Sequence, residues 1–162
     1  MKEKKMIKFI LGYIYTQIQT TKHRFWVFWY LSKFCFKLLW RGSVHDLDKY
    51  RWKEAKHFAK TIFDLKSSTY GSDEYKKLLE EIEPALKHHY SRNKHHPEFH
   101  SQYVDMNIMD KIEMVCDWKA ATRRHADGDI NKSIEINQKR FGYTDEEKKL
   151  LIAIVKQIDK KT

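Results

Sequence analysis

The sequence predicts an all-α protein built as a single domain, and three observations carry that reading. Only five Gly and two Pro fall among the 162 residues, so chain breakers are scarce. Apolar residues recur with the 3.6-residue period of a helix through several long stretches. A chain of this length buries roughly two-thirds of its unfolded surface in one core. Hydrophobic residues at 41% beside 33% charged are the composition of a globular chain, which excludes an intrinsically disordered one.

Taken in order, the chain opens on the basic lead Lys2-Glu3-Lys4-Lys5, and from Met6 onward Ile7, Ile10, Leu11, Ile14 and Ile18 form one apolar stripe. This opening helix, residues 1–19, is expected to dock on the body of the fold. Its alternative, for residues 1–20, is contact with a membrane surface. A second apolar stretch, Phe25 to Trp40, is broken by Lys33 and Lys37, so it falls short of a spanning segment. Gly42 suits the position just past a helix end, and Ser43 suits the cap of a short new helix carrying His45, Asp46 and Lys49.

A helix over about 52–65 follows, with Ala55, Phe58, Ala59, Ile62 and Phe63 inward and His57 at the surface. Residues 66–72 read as a loop closed by a cap at Ser72 or Asp73. Pro84 suits the first turn of a fresh helix. Asp105 or Asn107 caps a helix over 108–124 with Ile112, Val115, Cys116 and Ala120 on its apolar side. Asp127-Gly128-Asp129 reads as a turn. Thr144 and Glu147 form a capping box for a last helix, packed through Leu150, Leu151, Ile154, Val155 and Ile158.

The chemistry concentrates in two dense stretches. The first is Val44-His45-Asp46-Leu47-Asp48-Lys49, where an imidazole and a carboxylate stand side by side, a donor pair accepted by Zn, Mn, Fe and Mg in different degrees. The second runs from His88 to His100 and holds five histidines in thirteen residues. Loops favour Gly, Ser, Asn and Asp over His, and imidazole is the commonest protein metal ligand. His89 with one or both of His95 and His96 are therefore candidate ligands. Glu113 and Asp117, four apart, lie along one helix face. Among Val115, Cys116 and Trp118, Asp117 needs a partner, and a metal or an arginine, Arg123 or Arg92, would serve. His23 is a further candidate ligand.

Composition narrows the partners. Lys and Arg outnumber Asp and Glu by 32 to 22, a net charge of +10, which steers anionic partners toward the chain. The basic residues are interspersed with acids, so a small anionic substrate is favoured over nucleic acid. Cys35 and Cys116 are expected to be buried, reduced thiols in a cytoplasmic protein. The sequence contains no internal repeat, Gly-rich phosphate loop, Cys-x-x-Cys pair or nucleophile elbow.

The order His23, His45-Asp46, the histidines from His89 to His96, then Asp117 resembles the HD-domain superfamily of metal-dependent phosphohydrolases, and the histidines between doublet and last Asp resemble its dinuclear branch. His45-Asp46-Leu47-Asp48-Lys49 is similar to the His-Asp-x-Gly-Lys of the cyclic-di-GMP phosphodiesterases, and Val115 to Thr122 is similar to their final Asp segment. Asp48 stands where those enzymes carry Gly, and no Gly-Tyr-Pro follows the histidine pair. The nearer resemblance is to an uncharacterised family of small phage and bacterial proteins. It rests on the His-Asp-Leu-x-Lys, the His-x-x-x-Asn-x-His-His-Pro-Glu (His89, Asn93, His95, His96, Pro97, Glu98) and the Glu-Met-x-Cys-Asp-Trp stretches.

The resemblance implies an HD-type helical bundle around a metal site over residues 20–125, with 126–162 as a helical extension packed on it. It implies two divalent transition metals, Fe or Mn ahead of Zn, Co or Mg. His23, His45, Asp46 and Asp117 would hold one ion, and Asp46 would bridge to a second carried by His89, His96 and His95. Lys49, Arg92 and Asn93 would bind the phosphate of a nucleotide or another small phosphorylated compound, while Glu98 or Glu113 would move protons or orient a ligand. A di-iron oxygenase with the same ligands and a non-catalytic basic binding protein are the rival readings.

Overall fold

The computed structural model describes residues 2–69, 72–124 and 128–160, with Lys53 described for its backbone alone. Among the described residues there are seven α-helices and no strand: α1 (Lys2–Val44), α2 (Trp52–Ser67), α3 (Asp73–Glu81), α4 (Glu83–Tyr90), α5 (Ile108–Thr122), α6 (Ile130–Phe141) and α7 (Asp145–Asp159). Three short 3₁₀ turns, Leu47–Tyr50, Pro97–Phe99 and Tyr103–Asp105, link them. The fold is all-α. The chain separates into two compact units, residues 1–43 and 44–162.

The first unit is the helix α1, 43 residues long, with no buried side chain. Two expected breaks do not occur. Thr20 and Thr21 continue the helix, Thr21 returning its hydroxyl to the Gln17 carbonyl. Gly42 lies inside the helix, and Ser43 donates its Oγ to the Leu39 carbonyl instead of capping a new helix. Hydroxyls that satisfy themselves on the preceding turn leave the helix free to run on. No helix among the described residues is long and apolar enough to cross a membrane.

In the second unit, α5, α6 and α7 enclose a core of Met114, Val115, Ile134, Leu151 and Val155, closed from one side by Tyr103, Met106 and Tyr143. The helix starts follow local chemistry. Asn107 caps α5, Ser72 caps α3, and Thr144 with Glu147 forms the capping box of α7. Pro84 sits in the first turn of α4, where its missing N–H goes unused. Helix α6 has no counterpart in the sequence reading. Asp129 caps it, Ile134 and Asn137 are buried on its inner face, and Gly142 closes it with φ 67°. Of the expected 127–129 turn, Asp127 lies outside the described residues.

Helix α2 is turned from the expected face. Ile62, Phe63 and Ala59 are exposed, while Glu54 and Thr61 are buried and Phe58 and His57 are half-buried. The reason is Glu54. Its carboxylate accepts from His88 at 2.6 Å and faces His89 at 3.4 Å, both on α4, which turns this polar position of the helix inward. Cys35 and Cys116 are exposed, not buried, since the inner face of α5 is taken by Asp110, Met114 and Val115.

Candidate metal centre

The centre is built around a strained turn. Directly after α1, Asp46 adopts φ 54°, the one described non-Gly residue with positive φ. Asp tolerates this left-handed region better than most residues, and such strain collects at functional sites. The turn breaks the helical register at this point, so the adjacent His45 and Asp46 side chains both reach one cluster. Helices α4 and α5 and the loop between them supply the other members.

Four atoms converge there. Nε2 of His89 lies 3.1 Å from Asp46 Oδ1, and Nε2 of His95 lies 3.4 Å from the same oxygen. His96 stacks tilted on His95 with ring centroids 4.1 Å apart. Asp46 Oδ1 and the Nε2 atoms of His89, His95 and His96 are all buried without completing a hydrogen bond. Ligand atoms of these four residues fall within 4.8 Å of one another. Opposed ligands of an ion bonded at about 2.1–2.2 Å stand about 4.3 Å apart. Buried polar atoms normally have partners, and four facing each other without one fit a divalent cation.

A second group shares Asp46. His45 Nε2 lies 3.4 Å from Asp46 Oδ2 and 3.5 Å from Asp117 Oδ1, and these three residues also bring ligand atoms within 4.8 Å. One carboxylate thus belongs to both sets, its two oxygens facing different histidines.

The outer nitrogens of the same rings are held from behind. His45 Nδ1 donates to Glu113 Oε1 at 2.9 Å, and His95 Nδ1 lies 3.1 Å from that oxygen. His89 Nδ1 donates to Asp48 Oδ2 at 3.1 Å, and Asn93 Nδ2 donates to the same oxygen at 2.6 Å and to the His89 carbonyl at 2.8 Å. His88 donates to the buried Glu54 at 2.6 Å. A carboxylate on Nδ1 fixes the tautomer that leaves Nε2 for a metal and raises its basicity.

The charges are balanced accordingly. Contacts with Asp117, Asp46 and Glu113 push the His45 pKa up to about 11. Burial alone would raise Asp46, yet His45, His89, His95 and Lys49 together hold its carboxyl far below the usual range. Burial, followed by the electrostatic effect of the neighbouring His95 and His89 rings, drives His96 down to about 3.

A cavity of about 470 Å³ opens beside the cluster, lined by Lys49, His89, His96 and Asp117 and by Lys132 and Arg140 from α6. Its size is that of small-molecule sites. Lys49 Nζ bonds Asp46 Oδ2 at 2.6 Å.

Of the residues singled out in the sequence, His45, Asp46, Lys49, His89, His95, His96, Glu113 and Asp117 come together. His23 is exposed on α1, in the first unit. Asp117 faces His45, and no contact with Arg123 or Arg92 is seen among the described residues. Arg92 is exposed. Asn93 supports His89 from behind. Glu98 pairs with Arg140 Nη2 at 2.6 Å on the cavity wall. Asp48, Glu54 and His88 went unrecognised in the sequence. The signal for Asp48 was there, since an acid two residues after Asp46 lies in the same dense stretch. For Glu54, an acid on a helix face later found buried, periodicity offered no sign.

A family model described as "Family of unknown function (DUF5662)" matches residues 13–161. No curated protein and no solved structure matches the chain.

Proposed function

The chain belongs to the DUF5662 family of unknown function, and from the site itself we propose that it is a metal-dependent phosphohydrolase acting on a nucleotide or another small phosphorylated compound. The observation that carries this reading is Asp46, one carboxylate shared by two ligand sets, the first of which holds three buried imidazole nitrogens without a partner. His89, His95, His96 and Asp46 would hold one ion, and His45, Asp117 and Asp46 a second. Divalent ions at such sites supply Lewis-acid polarisation of phosphoryl oxygens and acidify water. The resemblance to the dinuclear HD branch supports the same assignment.

The chain's own groups do the rest. Glu113 and Asp48 keep three ligand imidazoles oriented through Nδ1. Lys49 stands between Asp46 and the cavity, where its ammonium can meet a phosphate oxygen by a charge-assisted bond. Lys132 and Arg140 add positive charge to the cavity wall. The cluster's burial excludes bulk water, which strengthens each of these interactions.

The test is phosphate release from a panel of nucleotides and from p-nitrophenyl phosphate by metal-loaded protein, comparing wild type with Lys49→Met and Asp46→Asn. Lys49→Met should keep its metal and lose about a hundredfold in kcat/KM. Asp46→Asn, which keeps shape and tolerates the left-handed backbone, should lose metal and activity together. Turnover that survives Asp46→Asn unchanged would overturn the assignment, and oxygen uptake without phosphate release would replace it by the oxygenase reading.

A further inference from the structure

Charge and aromatic content are divided unequally between the two units. Residues 1–43 hold nine Lys and Arg against one acid, Glu3, and so carry +8 of the chain's net +10. The same residues hold 11 of the chain's 23 aromatic side chains. All of this is displayed on one helix, α1, with no buried side chain.

The helix sorts these residues around its axis. At 100° per residue, Lys4, Lys8, Lys22, Lys33, Lys37 and Arg41 fall within one sector of about 100°, joined by Lys5. Lys2 and Arg24 lie outside it. Opposite that sector stand Met6, Ile10, Tyr13, Phe28, Leu31 and Leu39, each between 47% and 71% exposed. Trp26 and Trp40 lie within the basic sector and Trp29 at its edge, exposed at 52%, 61% and 47%.

We infer that α1 lies lengthwise on the surface of an anionic lipid bilayer, apolar sector down and basic sector facing the headgroups. Three features select this occupant. The helix does not qualify to cross a bilayer, yet its length of about 64 Å far exceeds the hydrocarbon thickness of about 30 Å. Exposed apolar side chains from Phe9 round to Ile18 spread over about 180° of its circumference, interrupted by Arg24, whereas a coiled-coil partner is met by a narrow seam. A second copy would also set +8 against +8. Lys and Arg with long stems reach up to lipid phosphates, and Trp and Tyr are the residues that settle at the interface. A nucleic acid would engage the basic stripe and leave the apolar sector in water.

The experiment is co-sedimentation of the full chain with vesicles of phosphatidylcholine alone and of phosphatidylcholine with about a third phosphatidylglycerol. Binding should be at least tenfold tighter to the anionic vesicles, fall steeply with salt, and blue-shift tryptophan emission. Changing Lys33, Lys37 and Arg41 together to Glu should weaken it about a hundredfold or more, with circular dichroism checking that the variant stays helical. If that variant misfolds, the wild type's salt and lipid dependence decides alone. Equal binding to both vesicles would overturn the proposal. So would absence of binding, whether sedimentation velocity finds a dimer, meaning a second copy covers the helix, or a monomer.

Discussion

His45 donates from Nδ1 to Glu113 Oε1 across 2.9 Å, and this bond turns its Nε2 toward Asp46 and Asp117. The same carboxylate oxygen stands 3.1 Å from His95 Nδ1, so a single glutamate orients one histidine of each ligand set. Replacing Glu113 by Gln keeps the shape and removes the charge that favours Nδ1–H in both rings. Outer ligands of this kind are worth about ten- to a hundredfold in metal affinity. Glu113→Gln should therefore weaken both sites by that factor in a competitive chelator titration while leaving helix content unchanged. An affinity equal to wild type would show that the two histidines need no orienting partner.

Much of this centre was legible in the sequence, and the reason is that its ligands come in dense runs. His45 beside Asp46, and His95 beside His96 six and seven residues after His89, stand out because such crowding of ligand types has little other use. The supporting acids are harder to find. Asp48 and Glu54 serve a ring 41 and 35 positions away in the chain, and a single acid looks like any surface charge until its neighbour is known, whereas Glu113 stands out by its four-residue spacing from Asp117. A helix break is expected after residue 19 and again at Gly42 and Ser43, yet α1 runs on through Thr20, Thr21, Gly42 and Ser43. Their hydroxyls and the missing Cβ weaken a helix by tenths of a kcal/mol to about one, too little to stop one this long.

The shared position of Asp46 predicts how metal loss should divide. Both groups, Asp46 with His89, His95 and His96 and Asp46 with His45 and Asp117, depend on it. Elemental analysis after reconstitution with Mn or Fe should give about two ions per wild-type chain, about one for His96→Gln, and close to none for Asp46→Asn. The bound metal should also stabilise the fold. At a free concentration a hundredfold above Kd, linkage adds about 2.7 kcal/mol, or about 5–10 °C in Tm for a protein of this size. A chelator should reverse the shift. The same Tm with and without metal in wild type would count against a site formed only in the folded chain.

Gly128 meets the end of α5 so closely that a Cβ would stand 1.9 Å from the Thr122 carbonyl oxygen and 2.7 Å from its carbon. Those are backbone atoms of a helix terminus and cannot swing aside as a flexible side chain would. Gly128→Ala must push α5 away from the segment leading into α6, whose Ile134 lies in the core with Met114 and Val115. Overpacking of this kind costs about 1–3 kcal/mol, so chemical denaturation should find the variant less stable by that amount. A variant as stable as wild type would mean that the approach relaxes without involving the core.

Glu147 ties the start of α7 to α5 and gives stability a pH dependence of known sign. Its Oε1 accepts from Lys111 Nζ at 2.9 Å, and its Oε2 accepts from the Thr144 backbone N–H at 3.1 Å. Partial burial works to raise its pKa, but the bonds from Lys111 and Thr144 outweigh it and hold the carboxyl below its ordinary value. A carboxyl depressed in the folded state binds its proton more readily when unfolded. The stabilisation is then full at neutral pH, above the ordinary carboxylate range, and drains away as pH falls through the depressed folded value. Glu147→Gln should cost about 1 kcal/mol near pH 7, the worth of a charged capping-box partner. That difference should begin to shrink as pH falls below about 4, where the carboxyl of the unfolded chain becomes protonated, and vanish once pH passes the lower folded value. Denaturation of both proteins across this range measures the difference directly, and a cost that stays constant into acid would assign it to packing and not to the charge.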